Sequence, residues 1–170
     1  MRLLPIIGVI VIAVGIAIGV HHRPPKPPVV NPNAVCHIKV ESGGVLPDPT
    51  CTPGSLYPGV TQANIKQTIC VKGWTSTIRP PQSYTEPLKI ASIKSYGYKD
   101  TSLAHYEEDH LIPLELGGNP TDIKNLWAEP GASPNKKDNI EFLLRTRVCN
   151  GTISLATAQT EIVTDWTVIH

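Results

Sequence analysis

Between residues 106 and 139 the chain reads YEEDHLIPLELGGNPTDIKNLWAEPGASPNKKDN, and the reactive residue types crowd into that stretch. Asp109 and His110 stand side by side ahead of an apolar turn, Asn125 follows fifteen residues after the histidine, and Asn135 and Asp138 come later. An imidazole with an unperturbed pKa near 6.5 can take a proton at neutral pH. A carboxylate beside it is a hard oxygen donor of the kind that Mg²⁺ accepts. Each residue also has a plainer use. Asp109 with His110 could make an ion-pairing turn, Asn125 could cap a turn, and Asn135 with Asp138 could cap a helix. Glu107 and Glu108 could tune a cation site or be two more acids on an exposed turn, and His105 reads as a solvated histidine.

These groups need elements to position them. Leu111-Ile112-Pro113-Leu114 can start a strand, Gly117-Gly118-Asn119-Pro120 is strong turn chemistry, and Asn125-Leu126-Trp127 can return as a second strand. The spacing therefore predicts a hairpin followed by a helix. That helix is expected over Asp138 to Val148, with Leu144 and Val148 four apart and Asn150-Gly151 as its stop. Ser154 is an N-cap for a last helix carrying Leu155, Ala158, Ile162 and Trp166 at three- or four-residue steps. Upstream, residues 69–79 alternate loosely and predict a strand ended by Pro80 and Pro81. Thr85-Glu86-Pro87 signals the start of a short helix over Tyr84 to Tyr96, and residues 34–68 read as irregular chain with one short strand at most. Lys124, Lys136, Lys137, Arg145 and Arg147 could contact phosphates nonspecifically or form a solvated helix face. With aromatics at 5% and a single Phe, Trp74, Trp127 and Trp166 are needed more as core than as stacking platforms. The net charge of +1 neither favours nor excludes an anionic partner.

Asp109, His110, Pro113, Gly117, Gly118, Asn125 and Leu126 stand in an order and spacing that resembles the HNH, or ββα-metal, endonucleases, with Asn135 as the candidate for the third motif position. Their pattern runs Asp-His-x-x-Pro-x-x-x-Gly-Gly, then Asn-Leu, then His or Asn entering a helix. The likeness spans about 34 residues, one fifth of the chain. It implies a β-hairpin plus helix (ββα-metal-like) core, within a domain expected to be α+β, small, irregular and disulfide-stapled, with C-terminal helices. It implies a metal-dependent endonuclease that hydrolyses phosphodiester bonds of nucleic acid with low sequence specificity, DNA ahead of RNA. His110 would be the general base on the attacking water and Asn125 the brace that orients it. Asp109 would be the first metal ligand, Asn135 a second, and Asp138 an alternative or additional one, for a divalent cation, Mg²⁺ first with Mn²⁺ or Zn²⁺ as alternatives. Lys136, Lys137 and Arg145 would contact substrate phosphates. The chain departs from many HNH domains in lacking CxxC pairs for a structural zinc. The competing reading is an extracytoplasmic binding or structural module that keeps the hairpin and helix without catalysis.

Leu3 to Val20 is a run of 18 residues without a charged or amide side chain. As a helix it would span about 27 Å, just short of the roughly 30 Å hydrocarbon core. Residues 1–23 thus predict a transmembrane anchor or signal peptide, with Ala17-Ile18-Gly19 as a small-x-small cleavage site, and an uncleaved segment would tie the chain to a membrane. Residues 24–33, PPKPPVVNPN, hold five prolines and predict a semi-rigid linker, leaving 34–170 as the folded domain. The four cysteines, Cys36, Cys51, Cys70 and Cys149, read as two disulfides behind an export signal. Of three connectivities, Cys36 to Cys51 and Cys70 to Cys149 is preferred, the first closing a turn-rich loop and the second tying an early strand to a late helix. This pairing places the domain outside the cytoplasm, secreted or membrane-anchored. The sequence leaves the oligomeric state open.

Overall fold

Strand formation begins upstream of the apolar run. In the computed structural model, which describes residues 26–28 and 35–170, strand β3 is Tyr106–His110 and pairs antiparallel with β4, Leu126–Pro130. Leu111 to Leu114, expected to start the hairpin, instead leads into a 3₁₀ turn at Leu114–Leu116. Pro113 has no N–H to give to a ladder, and the Asn125 side chain takes up both the N–H and the carbonyl of Ile112.

This register decides which side chains share a face. With a period of two, Glu107, Asp109, Trp127 and Glu129 lie on one side of the hairpin, and Tyr106, Glu108, His110, Leu126 and Ala128 lie on the other. Helix α1, Gln82–Ser95, covers part of the second face: Tyr84 and Leu88 pack on Leu126, and Ile93 packs on Tyr106 and Ala128. It starts earlier than Thr85-Glu86-Pro87 suggests. Pro80-Pro81 sets its beginning, since the residue before a proline is held extended, and Pro87 lies inside the helix.

Ahead of α1, β1 (Lys39–Val40) and β2 (Val45–Leu46) form a minimal antiparallel pair, and a 3₁₀ helix at Gln62–Gln67 interrupts the chain expected to be irregular. The strand expected over 69–79 is replaced by turns and a 3₁₀ helix at Trp74–Thr77. Gly73 enters that helix with φ +82°, a left-handed conformation that a continuing strand cannot contain.

Behind the hairpin, α2 (Lys136–Cys149) and α3 (Leu155–Asp165) pack together. Leu144 and Val148 of α2 and Leu155, Ala158 and Ile162 of α3 form one apolar cluster with Ile65, Ile69, Leu116 and Trp166. Full burial of a Leu or Val stabilises the fold by roughly 1.5–3 kcal/mol. Ser154 caps α3 as the sequence predicts, its hydroxyl accepting from the Thr157 N–H. Trp127 and Trp166 are buried, and Trp74 packs against the main cluster.

The disulfides are Cys36–Cys51 and Cys70–Cys149, closing sequence separations of 15 and 79 residues. Loop-closure entropy assigns them about 3 and about 4.5 kcal/mol. The second ties a turn, rather than a strand, to the last residue of α2. The domain is thus α+β, with helices, two small hairpins and two disulfides. The expected N-terminal membrane or signal helix and most of the linker lie outside the described residues, among which no helix is long and apolar enough to cross a membrane.

Candidate active site

His110 ends β3 and is 6% exposed. Its Nε2 lies 3.1 Å from the Pro120 carbonyl, which can only accept, so Nε2 carries the hydrogen and Nδ1 the lone pair. Burial pushes the pKa down to about 4, against the Pro120 hydrogen bond and the nearby Asp109 charge, which both pull upward. The ring is therefore a neutral imidazole of fixed tautomer at neutral pH.

The loop bearing Pro120 is held by Asn125, which is wholly buried. Its Oδ1 accepts from Ile112 N at 2.9 Å, and its amide donates to Ile112 O at 2.9 Å and Asn119 O at 3.0 Å. Gly118 is required for this crossing, because a Cβ there would sit 1.7 Å from the Ile112 carbonyl oxygen. Asn125 thus fixes the residue before Pro120, and through it the partner of His110.

Beneath the histidine is a buried charge centre. Asp109 accepts from its cross-strand neighbour Trp127 through Oδ2, 2.9 Å from Nε1, and from Lys137 Nζ through Oδ1 at 2.8 Å. The same ammonium donates to the His110 carbonyl at 2.9 Å and to Glu141 Oε1 at 2.6 Å. Its three N–H donors meet three oxygens. Burial alone would lower the Lys137 pKa, but Asp109, Glu141 and Glu129 outweigh it and hold the pKa above the ordinary lysine range. Helix α2 delivers this lysine on its first turn and Glu141 one turn later.

Several expected sites are corrected by this arrangement. Lys137 was expected on substrate phosphates, yet it is 1% exposed with every donor committed. Asn135 and Asp138 form the α2 capping box: Asn135 Oδ1 accepts from Lys137 N at 2.7 Å, and Asp138 Oδ2 accepts from Asn135 N at 2.6 Å. The Asn135 amide donates to Glu107. Arg145 donates through Nε to the Ile69 carbonyl. Lys136 remains exposed and lines a different cavity, with Glu129 and Trp166. His105 pairs with Asp100 at the surface.

A cavity of about 230 Å³ opens beside His110, with Arg79, Glu107, Glu108, Glu141 and Phe142 among its walls. Glu107 and Glu108 are half-buried rather than displayed on a turn. Neither Glu108 carboxyl oxygen has a hydrogen-bond partner, and burial pushes its pKa up to about 9, with Lys89 opposing only in part. Glu129 is pushed to about 9 as well, by burial and then by Asp109. It stands directly across the ladder from Glu107, a like-charge pairing that a sheet tolerates poorly unless protons or cations intervene. Burial also raises Glu141, against the pull of Lys137.

Arg79, Glu141 and Phe142 carry no signal in the sequence that marks them as neighbours of His110. Glu108 does: once the strand is drawn over 106–110, the two-residue period puts it on the histidine's face.

The divalent cation implied by the HNH resemblance finds no ligand set at the expected positions. Both Asp109 oxygens accept hydrogen bonds, from Trp127 and Lys137, and the Asn135 oxygen and one Asp138 oxygen serve the helix cap, although Asp109 and Asp138 both line the cavity beside His110. Among the described residues no group of three or more His, Cys, Asp or Glu side chains is arranged to hold a metal ion. Comparison with protein-family models, curated proteins and solved structures finds no match.

Proposed function

We propose that this chain cleaves phosphodiester bonds of nucleic acid, with His110 as the general base. The observation that carries this reading is a neutral histidine of fixed tautomer, sharing one cavity wall with a cationic Arg79 and an aromatic Phe142. In the reaction, His110 Nδ1 takes the proton of the attacking water as its oxygen bonds to phosphorus. The bond from phosphorus to the leaving oxygen breaks, and Glu108, which holds a proton at neutral pH, supplies one to that oxygen. A positioned acid or base typically contributes about 10²–10⁴ in rate.

Arg79, exposed at the mouth, supplies charge for the phosphate. Phe142, the one Phe of the chain and 61% exposed, supplies a face for a base. Nothing in this set reads a base edge, so sequence preference is low. We place the domain outside the cytoplasm, where its disulfides persist.

The test is cleavage of plasmid DNA and of single-stranded RNA by the full chain with its disulfides formed, beside His110→Ala. Cleavage that falls at least about 10²-fold in the variant, with circular dichroism unchanged, is the expected result. Equal activity in the variant would defeat it. The slight exposure of His110 favours a second reading, a binding module without catalysis, and a folded chain inert on both substrates would establish that reading instead.

A further inference from the structure

We infer that Lys137 is a resident cation that stands where a metal ion would, so that no divalent ion binds at Asp109 while the lysine is present. Asp109 Oδ1, Glu141 Oε1 and the His110 carbonyl oxygen converge on one point, 2.8, 2.6 and 2.9 Å from Nζ. Two carboxylates and a main-chain carbonyl are the donors that Mg²⁺ and Ca²⁺ prefer. Here an ammonium fills the cage they form.

The lysine is also held there. Its backbone N–H is bonded to the Asn135 cap, and Glu141 lies one helical turn on, so helix geometry and the cage fix the same side chain.

The inference concerns binding and does not rest on the nuclease reading. In the full chain with disulfides formed, bound Mn²⁺ is counted by electron paramagnetic resonance at pH 7. Asp109→Asn should leave the Mn²⁺ isotherm of the wild type unchanged. Lys137→Met should bind at least about tenfold more tightly than the wild type, because the emptied cage keeps both carboxylates, and Lys137→Met with Asp109→Asn should lose that gain. Wild-type binding that disappears in Asp109→Asn overturns the inference, as does a folded Lys137→Met that gains nothing. Should Lys137→Met not fold, the ¹⁵N signal of the wild-type Lys137 ammonium decides: persistence in Mn²⁺ supports the resident cation, and bleaching overturns it. Cleavage is then assayed in EDTA. Activity there is expected, metal-dependent activity abolished by Asp109→Asn counts against the inference, and no cleavage under any condition defeats the proposed function alone.

Discussion

The two faces of β3 handle buried acids in opposite ways. On one, Asp109 is paired through both oxygens, to Trp127 and to Lys137. On the other, Glu108 buries both oxygens without a partner and keeps its proton instead. Paired charge of the first kind holds α2 against the hairpin, and the Lys137 ammonium has no donor to spare for a substrate. An unpartnered acid of the second kind is costly to keep, and a group kept at such cost beside a histidine of depressed pKa is a candidate for proton transfer. Separate environments have pushed the two titrating groups of one strand face apart, His110 down and Glu108 up.

The sharpest way to break this comparison is to unpair the paired face. Lys137→Met leaves Asp109 and Glu141 buried and facing each other, and loss of one partner from a buried pair destabilises by about 3–5 kcal/mol. Urea denaturation should show that loss, and adding Asp109→Asn should recover part of it, because the orphaned charge is then gone. A loss under about 1 kcal/mol would mean that the ammonium is not buried as described.

On the unpaired face the main effect is catalytic. Glu108→Gln keeps the shape and removes the proton, so cleavage should fall by about 10²-fold at pH 7. The wild-type rate should be level between about pH 4 and about 9, limited below by His110 and above by Glu108. The variant should lose the alkaline limb and keep the acid one. An unchanged alkaline limb would remove Glu108 from the reaction.

Stability against pH separates the faces further. Glu108 binds its proton more tightly folded than unfolded, so its contribution is complete below about pH 4.5 and is lost as pH rises toward 9. His110 acts in the opposite sense, its contribution complete above about 6.5 and lost as pH falls toward 4. From about pH 6.5 to 9 the acids Glu108 and Glu129 therefore act unopposed by His110, and the protein should weaken with rising pH. Replacing Glu108 with Gln should make that slope shallower by about 1.4 kcal/mol per pH unit in urea melts at pH 7 and 8.5. Equal slopes would place the Glu108 carboxylate in contact with water.

The asymmetry between the faces also explains what the sequence discloses. The turn residues Gly117, Gly118 and Asn119, the helix cap Ser154, and the disulfide pairing are legible because each rests on local chemistry or loop length. Asp109, His110 and Asn125 stand out by type and spacing, and the fold sets them in one hairpin, with Asp109 and His110 on opposite faces of β3. The position of β3 is not legible, because the apolar residues Leu111 to Leu114 suit a strand better than Tyr106 to Asp109 do. Only the Asn125 side chain, bonded to Ile112 from thirteen residues away, settles the matter. Lys137 looks like any basic residue on a helix until α2 is packed on the hairpin, and Arg79 and Phe142 reach His110 only through the tertiary fold.

Phe142 offers the smallest and most selective test. It lies on α2, one residue past Glu141, and is well exposed although the chain is poor in aromatics. Its truncation should therefore cost the fold little, within about 0.5 kcal/mol, as for other surface substitutions. If it stacks on a base, Phe142→Ala should raise KM for single-stranded substrate by an amount worth about 1 kcal/mol, near fivefold, and leave kcat unchanged, since the contact would be the same before and during reaction. The effect should be weaker on duplex, whose bases are already stacked. A fall in kcat with KM unchanged would instead assign Phe142 to shielding the cavity, and equal constants for both substrates would leave Arg79 as the substrate contact on that wall.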